Sequence, residues 1–393
     1  MDPKIKEKYN EWLQNASSEN DLYSELKAME SNRELIEDAF YKDLSFGTAG
    51  LRGVIGAGTN RMNVFTVAKT SQGIANYINK NCISDDRKVA ISYDSRIKSK
   101  AFAQTAASVF AANGIKVYIY PSLMPVPCLS FAVRYLGCYS GVMITASHNP
   151  AKYNGYKVYD KHGCQIGEEI ANAVLGEIEK TDAFKDVKAG SFEDLLQCGK
   201  INYISEKVYD AFIKEVKRQT VLTDIDVVDK NVNIVYTPLN GTGLIPVLRT
   251  LGESGYTNIT VVEEQSKPDG NFPTCPYPNP EIREAMSLGI KYAQKNNADL
   301  LIATDPDCDR VGIAVKDKSG DYRLLTGNET GILLFDFICK MRIKNNTMPQ
   351  NPVAVKTIVS TGIIEKIAAK YGVKLINVLT GFKYIGEQIL LLE

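Results

Sequence analysis

From residue 46 onward, short apolar runs alternate with longer stretches whose apolar residues recur every three or four positions. Before that point the pattern differs. Residues 4–43 are polar, with apolar side chains only at helical spacing: Tyr9, Trp12 and Leu13; Leu22, Leu26 and Met29; Leu35, Ile36 and Ala39. This spacing predicts two or three amphipathic helices. Beyond the glycine-rich segment 46–53, Lys88–Tyr93, Lys116–Tyr120 and Tyr139–Thr145 read as strands, with helices over Ser99–Asn113, Val126–Leu136 and Glu168–Glu179. Asn154-Gly155 is a turn signal, after which residues 155–160 are expected to return as a strand beside 139–147. A polar stretch over 181–199 leads out.

The alternation restarts at Asn233–Tyr236, followed by the loop 238–243 and a helix near Leu244–Leu251. The strand Ile259–Glu263, a proline-rich loop over 267–280, a helix over Glu281–Asn296 and the strand Asp299–Thr304 come next. A third start is the strand Val353–Val359 and the helix Ile363–Tyr371, then Leu375–Val378 and a loop over Thr380–Gly386. Strands alternating with helices predict an α/β fold of repeated βαβ-type domains, with mixed, mostly parallel sheets, preceded by N-terminal helices. The expected segments are 1–45, a helical extension; 46–200; 201–325; and 326–393, an incomplete third domain. The repetition is one of pattern, without residue-level identity.

Bulk composition narrows the function. The 393 residues allow two or three cores. The 46 basic and 46 acidic residues balance, which argues against a general binder of nucleic acid or acidic membranes. No apolar stretch approaches a membrane span, and Met1-Asp2-Pro3-Lys4 lacks the apolar core of a secretory signal. The eight cysteines include no Cys-x-x-Cys pair, which suits reduced thiols in a cytoplasmic protein. With His148 and His162 as the two histidines, a histidine-rich metal centre is excluded. Any bound metal has oxygen ligands.

Two segments carry candidate chemistry. Ser147 lies in Ile144-Thr-Ala-Ser-His-Asn-Pro150, on a polar turn after an apolar strand, where a hydroxyl is held rigidly yet faces outward. Far along the chain, Asp305-Pro-Asp-Cys-Asp-Arg310 follows another apolar strand. In extended backbone, Asp305, Asp307 and Asp309 share a face, and three carboxylates so close repel unless a cation sits among them. An all-oxygen site of this kind suits Mg²⁺. A calcium EF-hand is excluded, since its glycine and glutamate positions hold Arg310 and Lys316. A phosphatase with Asp305 as nucleophile remains an alternative, but it leaves Ser147 unexplained. A phosphorylated Ser147 would need the metal nearby, and positive side chains to meet the phosphate: Lys157 on the returning strand, Arg310 beside the last aspartate, and Arg52 in the glycine-rich segment. His148 adjoins the serine and is carried as a further catalytic candidate, although consecutive side chains usually diverge.

From about Phe46 to its end, the chain resembles the α-D-phosphohexomutase family, the phosphoglucomutases and phosphomannomutases. The resemblance rests on Thr145–Pro150, Asp305–Arg310, the opening Gly47-Thr-Ala-Gly-Leu-Arg-Gly53, and Thr380-Gly-Phe-Lys-Tyr-Ile-Gly386. It implies that Ser147 is the phosphoserine and that Asp305, Asp307 and Asp309 hold Mg²⁺ with it. It further implies that Arg310 contacts the phosphoryl group, that Arg52 and Lys157 lie near the transferred proton, and that Thr48, Thr380 and Lys383 contact the sugar phosphate. The helical N-terminus and the Ala-Gly-Leu-Arg-Gly opening are more similar to the larger phosphoglucomutase-type branch, which includes phosphopentomutases.

The implied function is a cytoplasmic mutase acting on a small-molecule sugar phosphate, interconverting hexose 1-phosphate and hexose 6-phosphate through a hexose 1,6-bisphosphate intermediate. The family's Gly-Glu-x-Ser-type loop and its fourth-domain phosphate-gripping loop have no match here, so a fragment with little turnover is expected. Rival expectations are a metal-dependent phosphohydrolase and a non-catalytic sugar-phosphate binder.

Overall fold

The structure, a computed structural model, describes residues 1–16, 20–47, 50–83 and 87–392. It forms two compact units, Met1–Ser205 and Glu206–Glu393.

The first unit begins with the helices Pro3–Asn15, Asn20–Met29 and Arg33–Phe40, as the spacing predicts. Asp2 caps the first, with Pro3 at its opening position, and Asn32 caps the third. Their apolar faces share a core around Trp12, Leu26, Ile36 and Phe40. Trp12 meets Phe40, Phe65 and Phe184 edge-on, with ring centroids 5.5–5.7 Å apart, and so ties the helical extension to the α/β part of the unit.

The sheet of this unit contains β1 (Phe46–Gly47), β2 (Gly50–Val54), β3 (Lys88–Tyr93), β4 (Lys116–Ile119), β5 (Ser140–Ile144), β6 (Tyr153–Tyr159) and β7 (Ile201–Tyr203). Their order is β1-β2-β6-β5-β3-β4-β7. β5, β3, β4 and β7 are parallel, whereas β5, β6, β2 and β1 pair antiparallel. Val89, Ile91, Val142 and Ile144 pack against the helices Val64–Asn81 and Ser99–Ala112 on one face. Ala90 and Met143 meet the helix Val126–Tyr135 on the other. Burial on both faces is why these strands read as unbroken apolar runs.

One element here goes unpredicted and one expectation fails. The helix Val64–Asn81 is not evident in the sequence, because Thr66, Thr70, Ser71, Gln72 and Gly73 are buried along with its apolar residues, which erases the amphipathic contrast. Asn154-Gly155 is not a turn but lies inside β6. Asn154 is buried there, its amide nitrogen donating to Ile97 O and Ser99 Oγ at 3.0 Å each.

The second unit holds β8 (Ile234–Thr237), β9 (Ile259–Val261), β10 (Leu300–Thr304), β11 (Val311–Lys316) and β12 (Tyr322–Leu325), in the order β12-β11-β10-β8-β9. Val235, Leu301, Ala303 and Ala314 pack on Met286, Ile290 and Ala293 of the helix Arg283–Lys295. After the helix Gly327–Lys344, β13 (Val353–Thr357) and β14 (Lys374–Val378) form a parallel pair around the helix Ile363–Tyr371. The loop expected over 380–386 is shorter, since a helix starts at Phe382.

The repeat is one of topology. β4-β3-β5-β6-β2 in the first unit and β9-β8-β10-β11-β12 in the second have the same sequence of parallel, parallel, antiparallel and antiparallel neighbours. Ser147 follows β5, and the aspartates follow β10. Each lies where a parallel strand hands over to an antiparallel one, at the carboxyl end of the sheet where α/β folds bind ligands.

Candidate functional site

The serine loop runs from Ala146 to Lys152, between β5 and β6. Ser147 is 4% exposed and has φ +53°, a left-handed conformation that costs a non-glycine residue about 1–2 kcal/mol. Its surroundings enforce that shape. The Ser147 amide donates to Thr145 Oγ1 at 2.8 Å, and the Thr145 hydroxyl donates to Asp94 Oδ2 at 2.6 Å. The Arg96 guanidinium donates to the carbonyls of Ser147, Asn149, Pro150 and Tyr153. Arg96 and Asp94 side chains are fully buried, with Nε and Oδ2 3.4 Å apart. The other Asp94 oxygen accepts from Ser99 Oγ at 2.7 Å and the Arg96 amide at 2.9 Å. Burial holds the Asp94 carboxyl above its ordinary range, against the opposing pull of Arg96, Thr145 and Ser99.

The Ser147 hydroxyl is 3.0 Å from His148 Nδ1, so these consecutive side chains converge. Arg52 lies opposite Gly155 on β2 and comes to 3.4 Å from Asn149 Oδ1, on the serine loop itself. Lys157 pairs with Met143, four residues before Ser147. Because paired and alternate residues share a sheet face, Arg52 and Lys157 lie on the same side. Thr48 lies outside the described residues.

In the second unit, one oxygen from each of Asp305, Asp307 and Asp309 lies within 4.8 Å of the others. Asp305 and Asp307 are fully buried, and Asp309 is exposed. The convergence has a different cause from the extended backbone expected. The segment is a turn: the Cys308 amide donates to Asp305 O at 2.9 Å, and Cys308 has φ +56°. Asp305 Oδ1 accepts from the amides of Asp309 and Arg310 at 3.1 and 3.0 Å, which folds the chain around that carboxylate. The loop after β8 supports it from below. Thr242 donates from its amide and hydroxyl to Pro306 O at 2.9 and 3.0 Å, and a Cβ on Gly241 would lie 2.4 Å from Pro306 Cα.

Burial, then the charges of Asp307 and Asp309, push the Asp305 carboxyl well above the ordinary range. A cation among the three would reverse that cost. Ligands around Mg²⁺ stand about 3–4 Å apart, given bonds of about 2.1 Å. Three carboxylates already within 4.8 Å, without sulfur or nitrogen donors, fit such an ion. Cys308 projects elsewhere; burial pushes its thiol up to about 12. Arg310 Nη1 is held by Glu281 at 3.1 Å. Thr380 is exposed on the loop after β14, and Lys383 lies in the following helix with its ammonium 4.8 Å from the Tyr384 ring centroid.

Family models described as phosphoglucomutase/phosphomannomutase, alpha/beta/alpha domains I, II and III match residues 43–185, 210–320 and 326–392. The chain belongs to the phosphoglucomutase/phosphomannomutase family. Similar proteins include the phosphoglucomutase of Staphylococcus saprophyticus, 40% identical over 96% of this chain and 66% of that protein. The phosphoribomutase of Saccharomyces cerevisiae is 37% identical over 90% and 59%. The chain therefore spans 59–66% of the length of these two relatives. Among solved structures, a phosphoglucomutase/phosphomannomutase family protein from Burkholderia thailandensis has a similar fold, with a TM-score of 0.68 at 19% identity, covering 88% of this chain and 68% of that one. The pp63/parafusin structure from Paramecium gives 0.64 at 17%, covering 89% and 65%.

The sequence singled out the serine and the three aspartates; it did not single out Asp94 and Arg96, which the structure brings onto the serine loop. Their signal was a polar Asp-Ser-Arg directly after a buried strand, the same strand-then-polar-loop pattern that marks the other two sites.

Proposed function

We propose that this family member carries the phosphoryl-transfer groups of a phosphohexomutase that interconverts hexose 1-phosphate and hexose 6-phosphate, glucose phosphates first among them. One observation carries the reading. Two units of matching topology each present a chemically specialised loop at the same handover, one with a buried, left-handed Ser147 and the other with three converging carboxylates.

In this reading phosphorylated Ser147 gives its phosphoryl group to the free sugar hydroxyl. The P–Oγ bond breaks as a P–O bond to the sugar forms; the sugar hydroxyl proton passes to Lys157, the candidate acceptor, and the leaving Ser147 Oγ takes a proton from protonated His148. The hexose 1,6-bisphosphate then returns its other phosphoryl group to Ser147 Oγ: that P–O bond to the sugar breaks as the P–Oγ bond forms, and the freed sugar oxygen takes the proton held by Lys157. His148, 3.0 Å from that oxygen, takes the serine proton. Arg52 and Arg310 meet the non-bridging oxygens. Asp305, Asp307 and Asp309 would hold Mg²⁺, which would supply charge neutralisation of the phosphoryl group. Thr48, Thr380 and Lys383 serve as sugar-phosphate contacts. The yeast relative's name favours a pentose phosphate as the alternative substrate.

Incubation with radiolabelled glucose 1,6-bisphosphate and Mg²⁺, followed by peptide mass spectrometry, tests the reading. Phosphate on Ser147 is expected, with Ser147→Ala below about one-thousandth of the parent rate. Phosphate on Asp305 instead would establish the phosphohydrolase.

A further inference from the structure

Arg96 is a fully buried cation whose hydrogen bonds converge on a loop about fifty residues away in sequence. Four carbonyls, those of Ser147, Asn149, Pro150 and Tyr153, turn toward this one guanidinium. We propose that Arg96, seated on Asp94, is a positioning residue for phosphoryl transfer, holding the Ser147 loop in its left-handed shape and cancelling the negative field that its inward carbonyls would set beneath a phosphate. The inference rests on the mutase reading of Ser147.

Two physical points support it. A left-handed serine persists only where its surroundings over-determine the backbone. Here the Ser147 carbonyl is fixed by Arg96, and its amide is fixed by Thr145, which is itself bonded to Asp94. Both sides of Ser147 therefore trace back to one buried ion pair.

The second point is electrostatic. Converging carbonyl oxygens make a partly negative pocket, and a phosphate of charge about −1.5 to −2 on the adjacent side chain would be repelled by it. A guanidinium among those oxygens removes the repulsion. Since a trans peptide points its N–H opposite to its C=O, the inward Ser147 carbonyl turns the His148 amide outward, away from Arg96. A lysine could keep the charge but not the planar fork that satisfies several carbonyls at once.

The test measures single-turnover phosphate uptake by Ser147 from glucose 1,6-bisphosphate, against bisphosphate concentration, for the parent, Arg96→Lys and Arg96→Met. Amide hydrogen exchange is followed alongside. Arg96→Lys is expected to lower the saturating rate about tenfold with half-saturation within about twofold, and Arg96→Met about a hundredfold. Exchange should rise over residues 146–153 and stay unchanged in β3 and β5. If Arg96→Met does not fold, Arg96→Lys carries the test alone. A folded Arg96→Lys that labels at the parent rate with an unchanged loop overturns the positioning role while leaving the mutase reading intact. A parent chain that takes up no phosphate on Ser147 overturns that reading, and this proposal with it.

Discussion

A methyl group on Gly155 would lie 2.5 Å from Thr145 O, just past the end of β5, and 2.8 Å from Leu51 O in β2, both backbone atoms. Neither can retreat without separating β6 from β5 or β2. Gly155→Ala should therefore destabilise the first unit by about 1–3 kcal/mol, read as a lower urea midpoint, and a parental midpoint would show that the strands can spread. The residue also shows what the sequence conveyed. Gly155 was noticeable, but as a turn former, whereas its role is close approach between strands. Ser147 and the aspartates were legible because each is a polar cluster cut into an apolar context. Arg96 lies in the same kind of polar cut after β3, but its partners are main-chain carbonyls, so no residue type in the sequence ties it to Ser147.

At the level of elements, the apolar runs located β3, β5, β8 and β10 to within a residue or so, because strands buried on both faces leave little ambiguity. Helices were legible when amphipathic, as with the first three. The N-terminal helices also make a testable electrostatic contact. Asp43, just past them, accepts from Lys8 Nζ at 2.9 Å and Lys69 Nζ at 3.2 Å, joining the first helix to Val64–Asn81. Partial burial alone would raise the Asp43 carboxyl, but the two lysines prevail and hold it below its usual range. A depressed carboxyl stabilises the fold above its unfolded value of about 3.9, and that contribution is lost as pH falls through the native value. Asp43→Asn should thus be less stable than the parent at neutral pH, by about 1 kcal/mol at most given its exposure. The gap should close as pH drops below about 4. A gap that persists unchanged into acid, by denaturant titration, would assign the effect to packing.

On the scale of the whole molecule, the organising fact is a topology used twice with different chemistry at one position: a serine after β5 and a trio of carboxylates after β10. The family assignment over residues 43–185, 210–320 and 326–392 agrees with the motifs at those two loops. The proposed activity requires that both loops act on one phosphoryl group, and linkage makes this measurable. If Mg²⁺ held by Asp305, Asp307 and Asp309 also meets phosphate on Ser147, phosphorylation and metal binding must strengthen each other by the same factor. The decisive measurement is calorimetric Mg²⁺ titration of the chain with Ser147 phosphorylated and unphosphorylated, with Asp305→Asn as control. Phosphorylation should tighten Mg²⁺ binding by about tenfold or more, and Asp305→Asn should abolish the gain. Equal affinities in the two states, with the triad intact, would contradict the account.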